Sequence, residues 1–594
     1  MIHNPMNELY TSVIQDPANQ QWLRFSEPCR VIAASRIEDV VPGLQMIETA
    51  VKEERLYAVG FISYEASPAF DSSLRVRPSA SFPLLWFGLY PEAEKMDLPP
   101  LPERIVHAPE NWTPSVSREA YHEAIARIKD HIARGETYQV NYTFRLHAPF
   151  SGDPWAFFLE LMRVQKTKYA AYINTGRFAV CSTSPELFFR MDGQNLTLRP
   201  MKGTAARGLT LAKDKYQARW LHHSEKNRAE NVMIVDMIRN DAGRIALTGS
   251  VQVPKLFEIE KYPTVWQMTS TVTARTYSPL CEIMTALFPC ASITGAPKSS
   301  TMNIIADLET TPRHAYTGCI GFVAPDRKAQ FNIGIRTVIV DRQTEQAEYG
   351  VGGGIVWDSG SKDEYEECRI KAYILSEKRP DFSLLETLLW EARNGYFLSE
   401  YHIRRLQNSA EYFDFPVNAE RVREKLACLS DSFAGDTSYK VRVLVSEDGS
   451  VSCQPAPLDI MPSAPVRLRL SSEPVHSDNP FLYHKTTHRQ VYESAMKNCL
   501  GCDDVVLYNE RGEVTETTIA NIVIQRNGKL ITPPVRCGLL KGTFRSWLTD
   551  QGELEEDIIS IEMLRQSSHI YLINSVRKWR EGFLDVLNLT CGRK

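Results

Sequence analysis

The sequence predicts an α+β protein of several units, and three observations carry that prediction. At 594 residues the chain exceeds what one hydrophobic core serves, so three or more structural units of roughly 100–200 residues are expected. Its hydrophobic content of 43% and charged content of 24% are those of an ordinary folded chain. Strand-like and helix-like runs alternate irregularly, without the regular βαβ rhythm that announces a parallel sheet.

The opening Met1-Ile2-His3-Asn4-Pro5-Met6-Asn7-Glu8 lacks a basic stretch followed by an apolar run, so no signal peptide is expected. Leu98-Pro99-Pro100-Leu101-Pro102 reads as a loop within an N-terminal part spanning 1–110. Ser117 then caps a helix whose Tyr121, Ala124, Ile125, Ile128 and Ile132 fall at helical spacing, and Gly135 stops it. Residues 137–143 alternate and are rich in strand formers, and further strands are expected at 169–174, 187–191 and 337–341. Helices are expected at 215–239 and 363–377. Gly350-Val351-Gly352-Gly353-Gly354 reads as a glycine-rich turn before Ile355-Val356. It fits neither the dinucleotide nor the phosphate-loop pattern, so its glycines either bring amides close to an anion or make a tight turn. Lys378-Arg379-Pro380-Asp381 follows a charged helix and precedes a new apolar pattern, which places the main boundary near 380. The units are then 1–378, with a core at 111–378, and 382–594.

A net charge of −4 without blocks of like charge leaves no nucleic-acid footprint. No apolar run reaches the roughly 18–20 residues of a membrane span. The twelve cysteines are scattered, with only Cys499 and Cys502 closely spaced, so free thiols in a reducing cytoplasm are the expectation.

Several residues could carry chemistry. Lys202, in Met201-Lys202-Gly203-Thr204, stands sixteen residues after Glu186 of Ser184-Pro185-Glu186. A charge-crowded lysine can attack an electrophilic carbon while a buried carboxyl serves as acid toward a leaving hydroxyl. Taken alone, Lys202 reads more readily as a surface lysine in a glycine-flanked turn. Glu230 lies just before the apolar Val232-Met233-Ile234-Val235, and Glu364, Glu367 and Lys371 share one helix face at i, i+3 and i+7. Such carboxylates either form a solvated face or meet at a hard cation such as magnesium. Past the boundary, Lys485 sits in Tyr483-His484-Lys485-Thr486-Thr487, followed by Thr515-Glu516 and Asn521. Arg405 sits in His402-Ile403-Arg404-Arg405-Leu406, and Gly542-Thr543-Phe544 precedes an expected helix at 545–549. A pyridoxal cofactor needs a lysine, an acidic partner for its ring nitrogen, and cationic or amide donors for its phosphate.

Taken in order, several strings resemble the chorismate-utilising enzymes over most of 1–378. They are Tyr138-Gln139-Val140-Asn141, Ser184-Pro185-Glu186, Lys202-Gly203-Thr204, Ala229-Glu230-Asn231, Ile293-Thr294-Gly295-Ala296-Pro297-Lys298, Gly334-Ile335-Arg336-Thr337 and Gly352-Gly353-Gly354-Ile355-Val356. The resemblance implies sheets with flanking helices. Gln139 stands where isochorismate synthases carry a water-activating lysine, and Lys202 where anthranilate synthases carry alanine. That combination, with Gly60-Phe61-Ile62-Ser63-Tyr64-Glu65-Ala66, is similar to the branch that aminates chorismate at C4.

In that branch the resemblance implies that Lys202 attacks ring C2 while Glu186 protonates the departing C4 hydroxyl. Ammonia then adds at C4 and expels the lysine. It implies magnesium held by Glu230 and Glu367, and an enolpyruvyl carboxylate held by Tyr316 and Arg336. Gln139, Thr294, Gly295, Gly353 and Gly354 would line the substrate, with Lys371 assisting at the metal end. Gln267 departs from the family, where many relatives carry histidine. No Gly-x-Cys-x-Gly nucleophile turn occurs, so a separate glutamine amidotransferase subunit is expected to supply ammonia. Arg24-Phe25-Ser26-Glu27-Pro28 departs from a Leu-Leu-Glu-Ser-like string, so tryptophan feedback is not expected.

Residues 382–594 resemble the class IV, fold-type IV pyridoxal-phosphate enzymes, which implies an α/β module of two subdomains. Lys485 carries over as the Schiff-base lysine, Glu516 as the ring-nitrogen partner and Arg405 as the phosphate ligand, with Gly542 and Thr543 amides beside it. The resemblance is specific for the cofactor and weak for the reaction, and this group admits a homodimer through the pyridoxal unit. Behind an aminodeoxychorismate-forming unit, loss of pyruvate to give 4-aminobenzoate is the economical reading, with Lys485 as base. The alternative is an anthranilate or isochorismate synthase fused to a class IV amino-acid aminotransferase.

Overall fold

The structure, a computed structural model, describes residues 9–99, 109, 111–375, 380–433, 435–459, 464–499 and 501–585. Glu8 and the residues before it, Pro100 to Pro102, Glu377 to Arg379 and Leu500 of the sequence-based expectations lie outside the described residues. The chain divides into two compact units, one of Met1–Ala206 with Ala218–Arg379, the other of Arg207–Gln217 with Pro380–Lys594. No helix among the described residues is long and apolar enough to cross a membrane.

Two ten-stranded sheets form the first unit. One runs from Gly295–Ala296 through Gln139–Pro149, Gln346–Ile355 and Thr337–Asp341 to Ser12–Asp16 and Gln21–Phe25. The other runs from Met201–Ala206 and Val265–Arg275 to Leu85–Tyr90 and Arg30–Ala34. Between the sheets Ile14, Phe25, Ile173 and Val180 pack against Val59, Phe61, Trp86 and Tyr90. Helices Arg118–Ala133, Pro154–Gln165 and Lys298–Leu308 pack on the outer face of one sheet, and Ile37–Glu53, Glu225–Gly243 and Leu280–Leu287 on that of the other. Strands alternate inward-facing apolar residues, and burying each at about 1.5–3 kcal/mol holds the layers together.

Local signals act where expected at Arg118–Ala133. The Ser117 hydroxyl accepts from the Ala120 amide, and Gly135 follows at φ +73°. Elsewhere the structure corrects the expectations. The helix expected at 215–239 is two, Leu211–His223 and Glu225–Gly243, because the Ser224 side chain accepts from the Asn227 amide and starts a new helix. The strand expected from 137 begins at Gln139 and runs to Pro149. Residues 361–372 are helical and 373–375 continue as a 3₁₀ turn. The helix expected at 545–549 spans Thr543–Asp550, with Gly542 as its cap. The glycines at 350–354 form no turn at all. They lie within the strand Gln346–Ile355, paired with Gln139–Pro149 so that Gly354 faces Asn141 and Gly352 faces Thr143.

The second unit holds a four-stranded sheet built on Leu384–Glu391 and Tyr439–Val445, flanked by helices Ser399–Phe413 and Ala419–Ser430. It also holds an eight-stranded mixed sheet. There the pairing of Glu516 with Asn521 joins Val514–Thr517 to Asn521–Arg526 and closes six strands into a ring.

The first unit buries an ion cluster in its core. Glu309 takes Arg313 on both oxygens at 2.6 and 2.9 Å, takes the Thr143 amide and hydroxyl at 2.8 Å, and lies 3.8 Å from Arg145 Nη2. All three charged side chains are buried. Glu309→Ala would leave two interior guanidinium groups without their carboxylate, so it should destabilise the first unit by about 3–5 kcal/mol. Chemical denaturation measures this, and a loss below about 1 kcal/mol would show that the cluster is dispensable.

Candidate active sites

In the first unit the bare backbone of Gly352, Gly353 and Gly354 is the floor on which side chains from other elements converge. A Cβ on Gly354 would stand 2.7 Å from Lys202 Nζ and 2.8 Å from Gln139 Nε2. A Cβ on Gly353 would stand 3.2 Å from Glu364 Oε2 and 3.8 Å from Lys371 Nζ. Lys202 reaches this floor from the strand Met201–Ala206. The Asn231 side-chain amide holds the Lys202 carbonyl at 3.0 Å and is itself fixed by the Ser270 hydroxyl. Gln139 is fully buried, and neither polar atom of its amide has a hydrogen-bond partner. A buried amide with both ends free is costly unless a ligand completes it.

Lys202 Nζ lies 3.7 Å from Glu230. Glu367 pairs with Lys371 at 2.7 Å; Lys371 first and Lys202 after it hold its carboxyl below the usual range against burial. Glu364, beside Glu367, is shifted upward, chiefly by burial. The two proposed metal carboxylates, one from each of helices Glu225–Gly243 and Ser361–Ala372, thus share the field of one lysine. Among the described residues no three His, Cys, Asp or Glu side chains are placed to share a metal ion.

Glu186 follows the strand Phe178–Ser184. Burial pushes its carboxyl up to about 7, while Ser292, the Met201 amide and Lys202 pull the other way. Ser292, which no sequence signal marked, donates to Glu186 Oε1 at 2.9 Å.

Arg336 is held in the left-handed region at φ +49°, its carbonyl bonded by the Thr183 amide and hydroxyl. Its Nη1 donates to Gln165 Oε1 at 2.5 Å and its guanidinium lies 5.7 Å from the Tyr262 ring. Among the described residues no carboxylate pairs with it, and burial shifts it downward. The Tyr316 ring lies over Gly350, where a Cβ would be 2.1 Å from it, and Arg145 stacks on it at 5.0 Å. Gly295 brings its backbone so close to Gln139 that a Cβ would be 2.0 Å from the Gln139 carbonyl oxygen. The Thr294 hydroxyl turns back to the Cys290 and Ala291 carbonyls. Gln267 accepts from the Thr204 hydroxyl at 3.1 Å.

In the second unit Lys485, Arg405, Glu516, Gly542 and Thr543 line one cavity of about 640 Å³. Burial first and Arg405 second push the Lys485 amine down to about 8. Burial pushes Glu516 up to about 7, and it is clamped by Tyr492 Oη at 2.8 Å, the Leu540 amide at 3.1 Å and Asn521 Nδ2 at 3.2 Å. Arg405 is gripped from behind by Glu386, which accepts from Nε at 2.8 Å and Nη2 at 2.6 Å. Glu386 also holds His402 Nδ1 at 2.6 Å, and His402 Nε2 lies 3.2 Å from the Thr543 hydroxyl. Burial opposes the Glu386 charge, yet Arg405 and His402 bring its carboxyl down to about 2. Glu386 was missed, although it sits at the centre of the inward-facing positions 384, 386 and 388 of an apolar strand, where a carboxylate needs a reason.

With both sites described, the class of protein is defined. Residues 10–377 match the family of chorismate binding enzymes, and the chain belongs to it. Residues 383–581 match the amino-transferase class IV family. Among curated relatives, aminodeoxychorismate synthase component 1 of Escherichia coli (strain K12) is 40% identical over 259 residues, 43% of this chain and 57% of that protein. The protein of the same name from Bacillus subtilis (strain 168) is 40% identical over 261 residues, 44% of this chain and 55% of that protein. The chain therefore spans little more than half the length of these relatives. Among solved structures, anthranilate synthase component I from Streptococcus pneumoniae TIGR4 shares the fold. Its TM-score is 0.53 at 23% identity, covering 64% of this chain and 94% of that one.

The glycine floor is directly testable. In Gly354→Ala the new methyl displaces only the flexible tips of Lys202 and Gln139, so the unfolding midpoint should hold. Any turnover that depends on Lys202 should fall by about 10²-fold, as expected when a reacting group moves by about an ångström. Full activity would show that Lys202 does not act from this position.

Proposed function

We propose that the chain makes 4-aminobenzoate from chorismate in two steps, amination at C4 followed by loss of pyruvate. The observation that carries this reading is Lys202 set within the field of Glu186, whose carboxyl burial pushes up to about 7, with the unpartnered amide of Gln139 at the same glycine floor. The first-unit relatives named aminodeoxychorismate synthase component 1 support it.

Chorismate carries two carboxylates, and the site offers two places for them. Arg336, with Tyr316 beside the glycine strand, would take the enolpyruvyl carboxylate through its free donor edge. Glu230 and Glu367 suit magnesium, a hard cation that often uses one or two protein carboxylates together with an anionic substrate. When bound there it would supply positive charge for the ring carboxylate. Lys202 forms the bond to C2, and Glu186 hands its proton to the C4 hydroxyl. Ammonia, supplied by a separate amidotransferase subunit, then adds at C4 and expels Lys202. Gln139 cannot activate water as a base would, which favours ammonia as the entering nucleophile.

In the second unit the residues fit pyridoxal phosphate. Lys485 would hold the aldehyde, Glu516 the ring nitrogen, and Arg405 with the amides of Gly542 and Thr543 the phosphate. The bound cofactor supplies an electron sink. Lys485, pushed down to about 8, is the base placed to take the C4 proton of aminodeoxychorismate while pyruvate departs.

Incubating the purified chain with chorismate, magnesium and ammonium should yield 4-aminobenzoate without added lyase; anthranilate as the main product would refute the branch assignment. Glutamine in place of ammonium should give no product until an amidotransferase subunit is added.

Two variants separate the half-reactions. Glu367→Gln should depress magnesium-dependent chorismate consumption by at least tenfold while supplied aminodeoxychorismate is still converted; equal loss in both assays would point to misfolding. Lys485→Ala should lose the visible absorbance of lysine-bound cofactor and accumulate aminodeoxychorismate from chorismate. Unchanged 4-aminobenzoate formation by that variant would remove Lys485 from the reaction.

A further inference from the structure

We propose that Ser292 is a positioning residue that confines the acid proton of Glu186 to one carboxyl oxygen, Oε2, and so aims it at the leaving hydroxyl. The inference rests on the reading of Glu186 as the acid of the first reaction.

Hydrogen-bond counting carries it. Glu186 Oε1 accepts from Ser292 Oγ at 2.9 Å and from the Met201 amide at 3.3 Å. A carboxyl oxygen offers two lone pairs, so Oε1 is filled, and a proton placed there would evict a donor. Oε2 has no hydrogen-bond partner among the described residues, and it is not among the buried polar atoms left without one, so it faces open space. The backbone that carries this carboxyl is fixed. Its amide donates to Ser184 Oγ at 3.2 Å and its carbonyl accepts from the Ile333 amide at 3.1 Å.

The direction of the Ser292 hydroxyl is set from behind. Cys290 Sγ lies 3.3 Å from Ser292 Oγ, and burial pushes its thiol up to about 12, so it stays protonated. The thiol therefore donates to Ser292, and Ser292 passes its own hydrogen on to Glu186. The titratable groups that face Glu186 are the Lys202 amine from the strand Met201–Ala206 and the Cys290 thiol from the segment before the turn Ala291–Ile293. Neither can replace the Ser292 donor on Oε1.

The same arrangement serves the reaction on both sides of the proton transfer. The Lys202 nitrogen, as the free amine, forms its bond to C2, both ring double bonds shift by one position, the C4–oxygen bond breaks, and Oε2 delivers its proton so that water leaves. Glu186 remains as a carboxylate, and the two donors already on Oε1 stabilise the new charge.

The test compares Ser292→Ala, Ser292→Thr and Glu186→Gln by the pH dependence of chorismate consumption with saturating magnesium and ammonium. Losing one donor to the carboxylate raises its pKa. The alkaline limb of kcat in Ser292→Ala should therefore move up by roughly half a unit to one unit, the size of one hydrogen bond. The plateau should fall by roughly tenfold, because the proton is no longer confined to the productive oxygen. Ser292→Thr, which keeps the hydroxyl, should restore both limb and plateau. Cys290→Ala, which leaves Ser292 in place but unaligned, should move the limb in the same direction by less, and it serves as the second variant if Ser292→Ala folds poorly. A limb that stays at its original pH in Ser292→Ala and Cys290→Ala overturns the inference. If Glu186→Gln keeps the alkaline limb, the acid assignment itself falls and the inference with it; if Glu186→Gln loses turnover while the serine variant keeps its limb, only the inference falls.

Discussion

Everything at the first site depends on a strand stripped of side chains. The run Gln346–Ile355 lies in register with Gln139–Pro149, and on it Gly350 admits the Tyr316 ring while Gly354 admits the tips of Lys202 and Gln139. Glycine inside a strand weakens it and is kept where something must approach the backbone closely. Here several groups do so within one strand, from different elements. The ladder to Gln139–Pro149 runs along the whole strand and keeps it extended, so the bare floor stays flat without help from its own residues. Side chains at these positions would fill the volume into which Lys202, Gln139 and the Tyr316 ring reach.

Burial sets the protons at both sites, and hydrogen bonding decides how each buried charge is held. In the Glu309–Arg313 and Glu386–Arg405 pairs each carboxylate oxygen is engaged by a donor. Such pairs hold shape and are close to neutral in their effect on stability as long as both partners remain. Gln139, Arg336 and Oε2 of Glu186 are buried or half-buried with capacity left over. Unfilled polar capacity in the interior costs free energy, and at these groups a bound ligand would complete the network. The Glu186 carboxyl and the Lys485 amine are both moved toward neutrality by desolvation, from opposite sides, which suits one to give a proton and the other to take one.

What could be read from the sequence follows from how local each determinant is. The helix Arg118–Ala133 was legible because its cap, its periodicity and its terminal glycine lie within one short stretch. The division at Ser224 was hidden because helix-forming residues continue on both sides, and only the turn of one hydroxyl toward Asn227 starts the second helix. The glycines at 350–354 carried a local preference for a turn that pairing with Gln139–Pro149 overrides. Lys202, Glu186 and Lys485 were found through motif order, which says nothing of distance. Ser292 and Glu386 went unseen because their meaning arises only from contacts between residues 106 and 19 positions apart in the chain.

The two guanidinium groups proposed as anion ligands are held in different ways, and the difference suits the ligands proposed for them. Arg336 is steadied by the neutral amide of Gln165, so its charge is left whole. A lone carboxylate needs that whole charge to be drawn from water into a buried site. Arg405 is steadied by the Glu386 carboxylate on its Nε–Nη2 edge, and its Nη1 also donates to the Lys541 carbonyl at 3.3 Å. Its net charge is thereby largely cancelled, which would make it a poor trap for a single carboxylate. A phosphate dianion does not rely on that one cation. It would meet the remaining donors of Arg405 together with the amides at the start of the helix Thr543–Asp550, whose dipole would add to the attraction. Placing a carboxylate behind one arginine and an amide behind the other therefore favours a phosphate in the second unit and a carboxylate in the first.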